Sequence, residues 1–389
     1  MKNNYQPVIV VVAFNRLKSL NRILYSLNRS FTPNGTKLII SIDNNGKNKD
    51  VAELASEYIW KFGEKEVIYH KERLGLRNHI IKCGDLSFDY GSVIILEDDL
   101  FVSPYFYKYA QEALTYYSNC DNIAGISLYN QPYTESNKLP FIPIKDNSDV
   151  YFKQIPSSLG QAWSKEHWDS FKKWYDTNPD VHNCKGLPVK VRNWTESSWK
   201  KYYYAYLVNF NKYFVFPQIS FTTNFNDPGE NMIMRTFFGQ IPIKIIESPF
   251  NFKALKDAIN VYDAYSEILP DKINKLCNTL NDYDLEVDLY GKKDSFTKDY
   301  VITSKTCKNY IAGFERSMKP HEMNIIMDIR GEELVLAKRD DIIIQQQTME
   351  EFINEYTYFY KNIFDTNVLI NLIKSRFKKK IKSYFIKKR

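Results

Sequence analysis

The 389-residue sequence has no run of about 18 apolar residues, so no membrane-spanning helix is expected. Its first apolar stretch, VIVVVAF at 8–14, is seven residues long and rich in valine, and no small-residue cleavage site follows it. It reads as a buried strand rather than a signal peptide. Cysteine is scarce. Cys83, Cys120, Cys184, Cys277 and Cys307 are odd in number, scattered, and form no C-x-x-C pair. That excludes a disulfide framework and a thiolate zinc site and points to a reducing cytoplasm. Five histidines, His70, His79, His167, His182 and His321, show no H-x-x-x-H or similar metal spacing. Residues 13–20, AFNRLKSL, contain no glycine, so the glycine- and lysine-rich phosphate loop of a nucleotidyltransferase is missing.

What is present is an ordinary globular composition, 44% hydrophobic and 25% charged, with a length that suggests two domains and an appended segment. The net charge of +7 is uneven. Nine Lys and Arg and no acid lie in 374–389, KSRFKKKIKSYFIKKR, so residues 1–373 carry −2. A body so near neutrality disfavours a nucleic-acid partner.

Strand and helix signals alternate over the first 130 residues. Strands are expected at 8–14, 37–45, 66–70, 92–99 and 123–130. Helices are expected at 17–30, 51–62, 74–88 and 103–118, the first with Leu17, Leu20, Leu24 and Leu27 at helical spacing. Alternation of this kind implies crossover connections and a Rossmann-like, mostly parallel sheet. Ligands of such sheets bind at the carboxyl ends of the strands, which singles out Phe14–Arg16, Asp43–Asn45 and Glu97–Asp99. Residues 131–240 read as irregular. Short strands are expected at 298–303, 323–329 and 333–338, and a helical segment from 346.

Glu97-Asp98-Asp99 follows the apolar SVIIL directly. Three acids at the end of a buried strand repel one another, and a cation would relieve the repulsion. One or two carboxylates with substrate phosphates is the usual way to hold Mg²⁺ or Mn²⁺. A solvated acidic turn before the helix at Ser103 explains the same residues without a ligand.

The blocks VIVVVAFNRLKSLNRILYSL, KLIISIDNNG, VIILEDDLFVSPYFYKYAQEAL and IAGISLYN resemble nucleotide-sugar glycosyltransferases of the GT-A fold, with the closest likeness to the N-acetylglucosaminyltransferase I family and its bacterial relatives. The resemblance covers about residues 6–250. It implies an α/β GT-A domain over 1–250; beyond it, the short strands separated by turns read as a small α+β accessory domain at 251–345, and 346–389 as a helical segment with a basic tail. It implies transfer, with inversion, of a hexosyl or N-acetylhexosaminyl unit from a UDP-linked donor to a glycan or lipid-linked acceptor. By the same resemblance Asp99 is the metal ligand, for Mn²⁺ or Mg²⁺. Asp98 and Glu97 contact ribose and donor sugar, Asp43 accepts from the uracil N–H, and Arg16 and Arg77 lie near the nucleotide. Bland readings stay open: Arg16 and Arg77 as surface charges, Asp43-Asn-Asn-Gly as a turn.

An inverting transfer needs an acceptor-side carboxylate. In the family it sits in a Trp-Asp pair. Here Trp199 aligns but Lys200 stands where the acid is expected. Glu196, one helical turn earlier, is the first substitute, with a surface pair to Lys200 as its alternative. Asp169, in SLGQAWSKEHWDSF, is the second, or else decorates a helix whose core residues are Trp168, Phe171 and Trp174. Asp227 and Glu230, in NFNDPGEN, lie in a turn-rich loop after a strand, where they either approach the acceptor or simply form the turn. Loss of activity through Lys200 is the remaining possibility, leaving a sugar-nucleotide or glycan-binding protein. In the tail, Ile373, Phe377, Ile381, Tyr384 and Phe385 form one apolar stripe among lysines. A basic amphipathic helix of that kind suits an anionic membrane surface at the cytoplasmic face. A solvated cationic terminus is the alternative.

Overall fold

The computed structural model describes residues 5–228, 239–345, 348–360, 370, 371, 373–375 and 377. The N-terminal part alternates as expected: β1 (Val8–Ala13), α1 (Leu17–Asn28), β2 (Leu38–Ile42), α2 (Lys49–Glu57), β3 (Lys65–Tyr69), α3 (Gly75–Tyr90) and β4 (Ser92–Glu97). These four strands pair in parallel in the order β4-β1-β2-β3. β1 and β2 are buried along their whole length and β4 up to Leu96, which is why their sequences are unbroken Val/Ile/Leu runs rather than alternating ones. The register Val12↔Glu97 and Ala13↔Ile42 brings the carboxyl ends of β1, β2 and β4 side by side. On α1 the buried apolar stripe is Leu20, Ile23, Leu24 and Leu27, while Leu17 is exposed.

β5 (Leu100–Val102), α4 (Phe106–Tyr116) and β6 (Ile123–Ser127) follow. The next hundred residues are more ordered than expected: β7 (Val150–Lys153), β8 (Gln161–Ser164), α5 (Lys165–Tyr175), α6 (Val189–Arg192), α7 (Trp199–Asn209), β9 (Tyr213–Pro217) and β10 (Thr222–Asn224). With β11 (Val261–Tyr262), strands β6 to β9 complete a nine-stranded sheet, β11-β7-β9-β6-β8-β4-β1-β2-β3, while β10 pairs with β5 in a separate two-stranded sheet. β7 and β8 are four residues each and buried on both faces, so neither alternation nor length marks them in the sequence. β8 is antiparallel to both β4 and β6. β6 therefore runs in the direction of β4 without touching it.

Helix α5 starts at Ser164, whose Oγ accepts from the His167 backbone N–H at 3.2 Å, while the His167 ring accepts from the Ser164 N–H at 3.4 Å. His167 is thus a capping residue, and burial pushes its imidazole down to about 4, keeping it neutral. Helices α3, α5 and α7 meet over a layer of large rings. Phe171 stacks on Tyr203 at 4.2 Å and Trp163 lies 4.8 Å from Trp168. Gly84 of α3 abuts this layer: a Cβ there would come within 2.1 Å of the Trp168 ring. Gly84→Ala is therefore expected to cost about 1–3 kcal/mol by overpacking, read as a lower urea midpoint at unchanged slope. An unaffected midpoint would mean that the ring layer yields at this point.

The chain continues with α8 (Pro270–Ile273), β12 (Leu285–Asp288), β13 (Tyr300–Thr303), β14 (Ala312–Phe314), α9 (Glu322–Ile326), β15 (Leu334–Lys338) and α10 (Met349–Tyr360). β12, β13, β15 and β14 form a second sheet in that order. The strands expected at 298–303 and 333–338 are present, but 323–329 is not a strand. Its first residues are α9, held by buried Asn324, whose Oδ1 accepts from the N–H groups of Ser317 and Met318 at 3.0 and 2.8 Å. Leu285, Ile302, Phe314 and Leu334 belong to the same apolar cluster as Val8, Trp163 and Trp168, so the second sheet shares a continuous core with the first. The described residues between 370 and 377 are helical, and the rest of 374–389 lies outside the described residues.

Candidate active site

Strand β4 ends at Glu97, and Asp98-Asp99 form a tight turn into β5. Strand alternation would send neighbouring acids to opposite faces, but the turn lets Asp98 and Asp99 converge. Both reach Arg16, which directly follows the loop after β1. Arg16 pairs with Asp98 Oδ1, and its Nη1 donates to Asp99 Oδ2 at 2.9 Å. Asp98 is further fixed by its N–H, which donates to the Val12 carbonyl at 3.1 Å. Asn224 of β10 donates to Asp99 Oδ1 at 3.3 Å. Three carboxylates face one guanidinium, so the group keeps an excess of negative charge. Burial raises Asp98 to about 6 against the lowering pull of Arg16, and burial also raises Glu97. The Oδ2 of Asp98 is buried without a hydrogen-bond partner among the described residues.

These acids line a cleft of about 260 Å³ with Phe14, Asn15, Asp43, Arg73, Gly75, His79 and Asp227. Asp43, at the end of β2, is almost fully committed to backbone. Its Oδ1 accepts from the N–H groups of Asn44 and Leu74 at 2.9 and 2.7 Å, and its Oδ2 from Gly75 at 3.0 Å. It closes the N-terminus of α3, where a carboxylate also meets the helix dipole. His79 shares the Ser41 hydroxyl with His70, at 2.7 and 3.0 Å, and burial holds it near 4, hence neutral. Asp227 joins the cleft to α1: it accepts from Ser19 Oγ at 2.7 Å and pairs with Arg22, whose guanidinium lies 3.9 Å from the Phe225 ring centroid. Glu230 lies outside the described residues. Arg73, Asn224 and Asp227 line the cleft and had no assigned role in the sequence reading of the donor site; a strand-end rule could not reach them, because they lie on loops and on β10.

Arg77 and Glu196 come together, though neither lines that cleft. Arg77 donates to Tyr202 Oη at 2.9 Å and lies 4.0 Å from Glu196 Oε2. Glu196 also bonds Tyr202 and accepts from buried Lys201 at 2.6 Å. These hydrogen bonds hold its carboxyl well below the usual range. It is exposed and pairs with Lys201 rather than Lys200. Asp169 is a surface residue of α5, 2.7 Å from Lys173 one turn on, and is not part of the cleft.

Lys200 turns the other way, onto Glu135, which also receives Lys138 at 2.7 Å. Glu135 is buried, and the two ammonium groups keep it ionised against desolvation. Lys200 also acts electrostatically on Glu97. Sequence reasoning missed Glu135. The sole signal was a lysine in an acid's place, which calls for a counter-charge. Behind this pair the Lys153 ammonium of β7 is fully buried. It has no hydrogen-bond partner among the described residues and lies 3.7 Å from the Phe141 ring centroid. Desolvation pushes it down to about 7 against the raising pull of Glu135. Between pH 7 and the ordinary lysine value of 10.5 the unfolded chain then binds a proton that the native one lacks. Stability should rise with pH across that window. Lys153→Met should remove the rise and add about 1–3 kcal/mol at neutral pH, measured by urea unfolding at several pH values. A pH profile parallel to wild type would rule out Lys153 as its source.

Residues 8–166 match the family described as glycosyl transferase family 2. No curated protein sequence matches the chain. Among solved structures, the mannosyltransferase PcManGT from Pyrobaculum calidifontis, in complex with GDP-Man and Mn²⁺, is 12% identical, with 55% of this chain and 58% of that one covered and a TM-score of 0.34. S. aureus TarS is 9% identical, with 56% and 36% covered and a TM-score of 0.34. GalNAc-T7 with UDP, GalNAc and Mn²⁺ is 13% identical, with 55% and 43% covered and a TM-score of 0.36. This chain thus spans less than two thirds of each of those proteins. The mostly parallel sheet flanked by helices is the α/β architecture of a GT-A glycosyltransferase domain, and it agrees with the match of residues 8–166 to glycosyl transferase family 2.

Proposed function

We propose that the chain is a metal-dependent, inverting glycosyltransferase that moves a hexosyl or N-acetylhexosaminyl unit from a UDP-linked donor to a glycan or lipid-linked acceptor. The observation that carries this reading is the convergence of Asp98 and Asp99 on Arg16, in a cleft at the carboxyl ends of β1, β2 and β4. The residues suit a hard divalent cation, Mn²⁺ or Mg²⁺. They offer carboxylate oxygens, an excess of negative charge, and one buried oxygen, Asp98 Oδ2, without a partner. Asp99 would hold the ion. When bound it would neutralise the departing diphosphate. Arg16 adds a guanidinium to the same charge balance, and Glu97 and Asp98 offer acceptors to donor hydroxyls. Asp43 retains little free capacity for a base N–H, and the contribution of Arg77 would come through Tyr202.

Of the two base candidates named from sequence, the contacts favour Glu196. It shares Arg77 and Tyr202 with α3, whose first residue lines the cleft, whereas Asp169 pairs outward. The Lys200–Glu135 pair supports a second reading, a sugar-nucleotide or glycan-binding protein without turnover. Residues 251–345 would serve as an accessory domain to 1–250, and 374–389 as a peripheral contact to an anionic membrane at its cytoplasmic face. No described helix is long and apolar enough to cross a membrane.

The test is release of free nucleotide from a panel of UDP- and GDP-sugars, with and without Mn²⁺. Metal-dependent turnover of one donor supports the enzyme. Metal-dependent binding without turnover, even with glycan or lipid acceptors added, supports the second reading. Absence of all nucleotide binding defeats both.

A further inference from the structure

A second cavity among the described residues is larger than the cleft at the acidic turn. It lies in the second sheet, at about 580 Å³, within the usual range of about 300–1,000 Å³ for ligand sites. Its walls combine an aromatic ring, guanidinium and ammonium groups, and carboxylates: Tyr310, Arg316, Lys305, Glu333, Asp294 and Glu355. With Lys292, Lys293 and Glu332, which also line it, four basic side chains face four acidic ones, so the wall has no strong preference for an ion of either sign. Arg316 makes no ion pair among the described residues. Its Nε is buried without a partner, and its Nη2 has only a long contact, 3.4 Å, to the Glu333 carbonyl. Tyr310 is 48% exposed, its hydroxyl held by Glu332 at 3.2 Å, so its ring is offered at a fixed edge of the cavity.

A neutral cavity with an exposed ring and interleaved donors and acceptors matches a polyol. Each sugar hydroxyl both donates and accepts, and the C–H face of a pyranose packs on an aromatic ring. The cavity is also tied to first-domain loops that carry Asn137 and Arg192. Glu355 accepts from Asn137 at 3.2 Å, in the same loop as Glu135. Asp294 pairs with Arg192, and Lys190 reaches the Ser136 carbonyl at 3.4 Å. Contacts of residues 135–138 and 190–192 thus connect this cavity to the Lys200–Glu135 pair, and the charge of Lys200 reaches Glu97.

We propose that this cavity is a saccharide subsite, holding a part of a glycan acceptor remote from the hydroxyl that reacts. The proposal rests on the glycosyltransferase reading above and specifies its acceptor as an oligosaccharide chain rather than a single small molecule. The accessory sheet would then hold the acceptor chain while the first domain positions the donor.

The test uses the full chain and an array of oligosaccharides that includes chitopentaose, maltopentaose and uronate-containing hexasaccharides. Wild type should bind at least one of them. Tyr310→Ala and Arg316→Ala, both at half-exposed or exposed positions, should each bind that glycan about tenfold more weakly, while metal-dependent donor hydrolysis stays within twofold. Thermal melting checks that both variants fold, and Arg316→Lys serves as a second probe if Arg316→Ala does not. Glycan binding undiminished in the variants, or no glycan binding by a wild type that still hydrolyses donor, overturns the subsite and leaves the enzyme standing. Failure of donor hydrolysis in wild type defeats the underlying reading instead, and glycan binding lost in both variants would then still support a glycan site.

Discussion

Asp99→Asn is expected to lower donor turnover about a thousandfold, the rate equivalent of some 4 kcal/mol, with little change in stability. The substitution keeps the shape of the side chain. Arg16 retains Asp98, and an amide oxygen can still accept from Nη1 in place of Asp99 Oδ2. What is lost is one negative charge at the point where a cation and a diphosphate would meet. Nucleotide release measured against Mn²⁺ concentration checks this, with circular dichroism confirming the fold. The apparent Mn²⁺ affinity should fall along with the rate. A variant within tenfold of wild type would remove Asp99 from the metal site, and would shift the role to Glu97 or Asp98.

Glu135→Ala is expected to cost about 3–5 kcal/mol, because it leaves Lys138 and Lys200 without their shared carboxylate and Lys153 without its strongest opposing charge. Removing one member of a buried pair is far more damaging than replacing both. The double variant Glu135→Ala/Lys200→Met should therefore recover a large part of the loss. Urea unfolding of the two single variants and the double gives the coupling directly. A single-variant loss under about 1 kcal/mol would show that water screens the cluster.

The N-terminal half of the fold was legible because its strands are buried on both faces and its helices carry one apolar stripe. Val8–Ala13, Leu38–Ile42 and Ser92–Glu97 announce themselves as apolar runs closed by polar turns. Val150–Lys153 and Gln161–Ser164 did not. They are short, and a buried lysine and glutamine sit among their apolar residues, which local pattern scores as loop. The acidic turn was legible for the same reason as β4, by position. Its partner was only half legible: Arg16 could be placed at the end of β1, but not its simultaneous grip on Asp98 and Asp99, which depends on the turn at 98–99. Glu135 was illegible. Its partner Lys200 is 65 residues away, and no local spacing joins them. Asn324 shows the same limit on a smaller scale. A polar residue inside MNIIMDI reads as an interruption of a strand, whereas its buried amide plugs the backbone of 317–318 and makes a helical turn.

The position of β8 bears on the order in which the sheet can close. β4-β1-β2-β3 is finished once residue 97 has been made: β1–β2 and β2–β3 are each joined by a single helix, and β4 returns to the free side of β1. β6, at 123–127, has to wait. Its two neighbours are β8, about 34 residues later, and β9, about 86 residues later, and β4 is not one of them. As the chain emerges from the ribosome, a self-sufficient parallel half therefore precedes a strand with no partner. The seam through β8 unites the two halves only after the loop carrying Glu135 has been laid down.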